Sequence, residues 1–257
     1  MIIARFASNG GSAYGIVDGE TVSEAQGDPF GGHLERSGAD LPLARVKLLA
    51  PCIPSKVVAV SSNYRAVLRE LGKEPPEEPL LFIKPESSVV GTGEAIRIPE
   101  YSTYVTHEPE LAVVIGKECK NVSADRVAEY VLGYTCANDV SSRDIQNREV
   151  HMTRAKGFDT YCPLGPLLVT GMPPESLAVR SYLNDQLVLD TNTSDMVFPV
   201  ADLIAFASGC MTLRPGDVIS TGAGGLGTIE PGDRIDIEIE GIGRLSNPVV
   251  KIGALES

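Results

Sequence analysis

Apolar residues recur along this chain mostly at every second position, in short runs broken by Gly, Pro and Asp, which is the period of strands rather than helices. In the first fifty residues Ile2, Ala4 and Phe6, then Tyr14 and Ile16, alternate in this way. Gly10-Gly11, Asp18-Gly19 and Gly31-Gly32 punctuate them, predicting small hairpins. Pro51 and Pro54 bracket a junction, after which Lys56-Val57-Val58-Ala59-Val60 reads as a buried strand running to Asn63, a residue type suited to cap a helix. Tyr64, Val67, Leu68 and Leu71 follow at helical spacing, and Gly72 stops that helix. The segment Lys73 to Pro79 is charged and proline-rich, so the short helix it tethers reads equally as a lid or as part of a solvated surface loop.

Farther on, Leu111 to Gly116 reads as a buried strand. Ser123 is placed to cap a helix carrying Val127, Tyr130 and Val131, and Tyr134 to Ala137 begins a strand that delivers Asn138-Asp139. Val200 to Ala207 predicts a helix, and Arg214-Pro215-Gly216-Asp217 and Glu230-Pro231-Gly232-Asp233 predict turns. Ile235, Ile237 and Ile239 alternate with Asp236, Glu238 and Glu240, the pattern of a half-exposed strand. The pattern describes a β-dominated α+β protein with short helices, divided into a small N-terminal β domain at residues 1–50 and a larger domain at 51–257.

Composition narrows the chemistry. The 257 residues are 43% apolar and 22% charged, enough for a sizeable core. A net charge of -12 argues against nucleic acid or an anionic membrane as a partner, so a small anionic substrate would need local cations. Cys52, Cys119, Cys136, Cys162 and Cys210 are odd in number and contain no CxxC pair, which fits a reducing compartment and speaks against zinc. With no signal-like N-terminus and no apolar run of roughly 20 residues, a cytoplasmic protein is expected.

Glu108 and Glu110 flank Pro109 just before the apolar run. If strand geometry already holds at Glu108, both carboxylates point to one face with Cα atoms about 6.5 to 7 Å apart. Like charges so placed need water, a base or a cation between them. With a third acid from a later strand they would form an all-oxygen site suited to Mg²⁺, Mn²⁺ or Ca²⁺, although on spacing alone solvent-facing glutamates are the commoner outcome.

A set of separated stretches then changes the balance. Ser62-Asn63-Tyr64, Phe82-Ile83-Lys84-Pro85, Glu108 to Gly116, Asn138-Asp139-Val140-Ser141-Ser142-Arg143-Asp144, Thr153 to Asp159, Cys162 to Pro166, Thr193 to Met196, Pro215 to Ile219 and Glu240 to Leu245 occur in order. Together, over about residues 50 to 250, they resemble the fumarylacetoacetate hydrolase family. The resemblance implies a mixed β-roll catalytic domain, a divalent metal (usually Mg²⁺ or Mn²⁺), often a homodimer, and a small 2-oxo or 1,3-dicarbonyl acid as substrate. It places the metal carboxylates at Glu108, Glu110 and Asp139, the active-site lysine at Lys156, and the catalytic lid glutamate at Glu70. Arg143, Asp144 and Gln146, with Thr221 and Gly222, fall where the family contacts or surrounds substrate. Asp159 is placed either to orient a ligand water or to cap a turn.

Family chemistry of this kind runs through a metal-stabilised enolate, which serves C–C hydrolysis, decarboxylation and isomerisation alike. Two departures bear on the choice. The family hydrolases carry His-x-x-Glu on the lid helix, whereas this chain has Val67-Leu68-Arg69-Glu70, and valine accepts no proton. His107 and His151 are the nearest alternatives in sequence, and both read as structural or surface residues. The loop Ser220 to Gly227 replaces the expected Thr-Gly-Thr-Pro with Thr221-Gly222-Ala223-Gly224, losing a hydroxyl and one residue, though its glycines could still offer amides to an anion. Isomerase, tautomerase or decarboxylase chemistry is therefore favoured over hydrolysis of an acylpyruvate-like acid, and a third alternative is a metal- and acid-binding protein that has lost catalysis.

Overall fold

The computed structural model describes residues 1–8 and 10–252. Its strands in chain order are β1 (Ile2–Ser8), β2 (Gly11–Asp18), β3 (Thr21–Asp28), β4 (His33–Pro42), β5 (Val57–Ser61), β6 (Leu80–Lys84), β7 (Val89–Val90), β8 (Ile96–Ile98), β9 (Val105–His107) and β10 (Pro109–Ile115). They continue with β11 (Val131–Asn138), β12 (Ser141–Ser142), β13 (Cys162–Val169), β14 (Ala178–Leu183), β15 (Gln186–Asn192), β16 (Val218–Ala223), β17 (Gly227–Ile229), β18 (Arg234–Ile239) and β19 (Gly243–Lys251). The α-helices are α1 (Arg65–Glu70), α2 (Arg143–Gln146), α3 (Thr153–Lys156) and α4 (Val200–Cys210). None is long and apolar enough to cross a membrane among the described residues.

The hydrophobic runs sort these strands into sheets. The largest runs β4-β3-β2-β1-β13-β11-β10-β16-β5-β6, with β7 added alongside β13. A three-stranded sheet is ordered β12-β9-β17 and a five-stranded one β15-β14-β18-β19-β8. The N-terminal hairpins β1 to β4 form an antiparallel meander that continues the large sheet, because Ile2 and Ile3 pair with Val169 and Leu168 of β13.

β10 explains why Pro109 to Ile115 is so uniformly apolar after its one glutamate. It lies between β11 and β16, antiparallel to both, and every one of its residues is buried. Leu111, Val113 and Ile115 face the main core with Val179, Ile235, Ile237 and Ile239 of the five-stranded sheet, while Ala112 and Val114 face a second cluster with Leu164 and Leu168. A strand covered on both faces loses the polar half of its alternation. Each such aliphatic side chain contributes about 1.5 to 3 kcal/mol by leaving water.

The expected hairpins, the strands at 57–60 and 134–138, and the helix at 200–207 all form, and three local expectations are corrected. Asn63 does not cap α1: Tyr64 occupies that position, and the Asn63 amide bonds the carbonyls of Thr221 (2.8 Å) and Phe198 (3.1 Å) and the amide of Phe198 (2.9 Å). Cross-linking two distant segments outcompetes a local cap. Ser123 precedes a 3₁₀ turn, Ala124–Glu129, without a side-chain cap, and Val131 already belongs to β11. Asp236 is buried rather than exposed, because Arg234 and Arg244 approach its carboxylate to 3.4 and 3.7 Å.

Candidate metal centre

The acidic cluster sits where two sheets meet. β9 belongs to the three-stranded sheet and β10 to the large one, and Glu108 is the single residue between them. Its amide donates to Asn138 Oδ1 (3.1 Å) and its carbonyl accepts from the Asp139 amide (3.0 Å), so the end of β11 is locked to this break. The β10–β11 register pairs Pro109 with Asn138 and Glu110 with Ala137. Carboxylate oxygens of Glu108, Glu110 and Asp139 consequently lie within 4.8 Å of one another. The two glutamates share the cluster although Glu108 precedes the regular strand.

Each carboxylate is held differently. Glu110 is buried, and the Ser220 hydroxyl (2.5 Å) and the Gly222 amide (2.9 Å) both donate to its Oε2, leaving Oε1 for the cluster. Asp139 is bracketed by two lysines, Lys84 on Oδ1 and Lys156 on Oδ2. Glu108 Oε1 accepts from Arg143 (2.7 Å), Ser141 (3.0 Å) and Lys156 (3.4 Å). The Lys156 ammonium also lies 4.9 Å from the centre of the Phe82 ring.

Electrostatics follows from these contacts. Burial would raise the Asp139 pKa, but Lys156 and Lys84 outweigh it and hold the carboxyl below its ordinary value. Burial would deprotonate Lys156, but Asp139 and Glu108 keep its pKa raised, so its Nζ stays charged. Glu110 forms no ion pair among the described residues: burial and then the Asp139 charge outweigh Ser220 and the more distant Lys156 and push its pKa up to about 8. Three buried or half-buried carboxylates, oxygen-only donors, one of them lacking a cation of its own, fit a hard divalent ion.

The other expected residues are distributed unevenly. Arg143 reaches the cluster, and its Nη1 donates to Gln146 Oε1 (3.1 Å), so these two lie together. Asp144 turns away, accepting from the Ser102 hydroxyl (2.9 Å) and the Thr103 amide (3.3 Å). The Thr221 hydroxyl is spent on the Leu111 carbonyl (2.9 Å), while Gly222 supports Glu110 through its amide. Glu70 is exposed at the end of α1 and its side chain makes no hydrogen bond or ion pair to another described residue, and Val67 packs half-buried against the core. Asp159 and His151 are exposed. His107 is buried, with its Nε2 2.9 Å from Ser181 Oγ, and burial lowers its pKa to about 4.

The glycines after Ala223 have a packing role. A Cβ on Gly224 would stand 2.2 Å from Thr191 Oγ1, and one on Gly225 would stand 2.7 Å from Leu189 Cδ2. Lys84 and Ser220 carry no expected role in the sequence, yet both bond the cluster. Lys84 does leave one signal, a charge closing the apolar run Leu80-Leu81-Phe82-Ile83 where burial is expected.

Residues 56–250 match the family model described as fumarylacetoacetate (FAA) hydrolase C-terminal, and residues 1–51 match one described as Rv2993c-like, N-terminal. The solved 2-hydroxyhepta-2,4-diene-1,7-dioate isomerase of Mycobacterium marinum superposes with a TM-score of 0.92 at 43% identity, covering 99% of this chain and 100% of that one. A mitochondrial oxaloacetate tautomerase of Xenopus laevis is 42% identical over 224 residues, 82% of this chain and 70% of its own. The maleylpyruvate hydrolase of Sphingobium sp. SYK-6, solved with manganese(II) and pyruvate, has a TM-score of 0.82 at 32% identity, covering 98% and 100%. The chain belongs to the fumarylacetoacetate hydrolase family of enzymes, as the order of its motifs predicts.

Proposed function

We propose that the protein is a divalent-metal-dependent enzyme that isomerises or tautomerises a small 2-oxo or enol acid, with decarboxylation as the neighbouring chemistry. The observation that carries this reading is the convergence of Glu108, Glu110 and Asp139, ringed by cations, in a chain whose lid-helix position 67 is valine. These three residues would hold Mg²⁺ or Mn²⁺. When bound, the ion would polarise a carbonyl oxygen and stabilise enolate charge on it.

The chain's own residues supply the rest. Lys156, kept protonated by Asp139 and Glu108, presents fixed positive charge to the oxygen that becomes anionic. Arg143, steadied by Gln146, takes a substrate carboxylate. Val67 offers no base for an attacking water, which disfavours hydrolysis, and the isomerase and tautomerase relatives support the same preference. Hydrolysis of an acylpyruvate-like acid is the second reading, supported by the likeness to maleylpyruvate hydrolase. Residues 1–50 are read as a small β domain attached to the catalytic domain at 51–257, in line with the two family models.

The test is a panel of oxo-acids with Mg²⁺ or Mn²⁺, following enol–keto conversion, CO₂ release and pyruvate release in parallel for wild type and Asp139→Asn. Conversion that EDTA and Asp139→Asn abolish is expected. Activity indifferent to both would overturn the site assignment, and ligand binding without any turnover would favour a binding protein.

A further inference from the structure

Three positive side chains surround the acidic cluster, and each bonds at least one of its members. Arg143 and Lys156 approach from α2 and α3, but Lys84 stands apart from them. It closes β6, an edge strand of the large sheet, is wholly buried, and holds its ammonium between Asp139 Oδ1 and the Val140 carbonyl (3.2 Å). Enclosed on all sides, it cannot swing toward a substrate and acts as a permanent charge behind Asp139.

A buried cation on a metal-binding carboxylate weakens the metal's hold, so its presence calls for a compensating ligand. With all three carboxylates ionised as ligands, three negative charges face three positive ones. A divalent ion then leaves two positive charges unbalanced in a poorly hydrated place, and a ligand carrying two negative charges restores neutrality.

We infer that Lys84 makes metal binding and acid binding interdependent, weakening the site's hold on a divalent ion alone and strengthening its hold on a dianion that chelates that ion. The inference rests on the metal reading above and adds a role for one residue to it. Lys84 is thus a positioning residue, acting through Asp139 and through its charge. Because coupling between two sites is reciprocal, the factor by which the dianion tightens the ion equals the factor by which the ion tightens the dianion.

The experiment measures Mn²⁺ binding by electron paramagnetic resonance and oxalate binding by calorimetry, with acetate as the monoanion control and free Mn²⁺ held fixed. In the wild type, oxalate is expected to tighten Mn²⁺ by a factor within the range of about 5- to 150-fold seen for coupled sites, and acetate far less. Lys84→Met is expected to move the two affinities in opposite directions, Mn²⁺ alone binding more tightly and oxalate on the Mn²⁺-loaded protein more weakly. Simple disruption of the site would weaken both. Affinities that fall together, or that stay unchanged in folded Lys84→Met or Lys84→Gln, overturn the inference. Should neither variant fold by circular dichroism, equal Mn²⁺ affinity of the wild type with oxalate and with acetate overturns it. Absence of Mn²⁺ binding in every arm overturns the metal reading itself.

Discussion

Raising the pH of the metal-free protein is expected to destabilise it, and Glu110 is the cause. Burial and the neighbouring Asp139 push its carboxyl in the folded state to about 8, whereas in the unfolded chain a glutamate titrates at about 4.3. A group whose pKa rises on folding contributes fully below its unfolded value and loses that contribution as pH climbs through the folded one. From about pH 6 to about pH 8 the unfolded chain has already lost this proton while the folded protein surrenders it only near the end. At 1.36 kcal/mol per unit, this leaves a loss of about 2 kcal/mol. His107, pushed down to about 4, acts oppositely as the unfolded imidazole titrates near pH 6.5, so the quantity to measure is a difference between proteins. Urea unfolding of wild type and Glu110→Gln in EDTA, followed by circular dichroism at pH 6, 7 and 8, isolates it. The wild type should lose about 2 kcal/mol relative to the variant, and saturating Mn²⁺, which displaces the same proton, should flatten the slope. Identical pH profiles for the two proteins would refute the assignment of a trapped proton to Glu110.

Other perturbations probe other links. Val67→His places an imidazole one helical turn before Glu70 and is expected to raise pyruvate release from an acylpyruvate by about 10²-fold or more, and no gain in a coupled assay would sink water activation as the missing element. Asp217 accepts from the Ser55 amide (3.0 Å) and hydroxyl (2.6 Å), the Lys56 amide (3.3 Å) and the Arg214 amide (2.8 Å), besides pairing with the Lys56 ammonium. Asp217→Asn should therefore cost about 1 to 3 kcal/mol in urea unfolding at neutral pH, and an unchanged midpoint would show that these bonds do not anchor the junction. Burial raises the Asp217 pKa but Lys56 and Ser55 prevail and lower it, so that contribution is present above the unfolded aspartate value and fades as acid is added through the folded one. Gly222 has φ +91°, and a Cβ there would stand 2.9 Å from that of Asn63. Gly222→Ala should cost about 1 to 3 kcal/mol and weaken Mn²⁺ binding with it, and an unshifted melting temperature would contradict this.

The sequence made the strand-rich fold legible because period-two alternation and Gly-Pro-Asp turns are local properties. The grouping of Glu108, Glu110 and Asp139 was legible through the ordered family motifs and not through spacing, which alone favours solvent-facing glutamates, because the third carboxylate joins only when β10 pairs with β11. Lys84 was not, because its role arises only when β6 pairs with β5 and the strand end meets Asp139, which lies 55 residues away. Asn63 and Asp236 misled for the same cause: long-range partners claimed side chains that local rules assign to a cap and to solvent. Glu70, assigned by its position in the family pattern, is solvent-exposed in this structure.

The complete burial of β10 also sets a separation in time. Its amides are shielded by β11 and β16 on either side, so they exchange with deuterium only when the large sheet itself opens. α1 is six residues long, and the segment from Leu71 to Glu78 behind it is almost wholly solvent-facing, so its opening costs few contacts. The strand that carries Glu110 and the helix α1 are thus built to open on different clocks. α1 can open often while Glu110 remains as fixed as the fold.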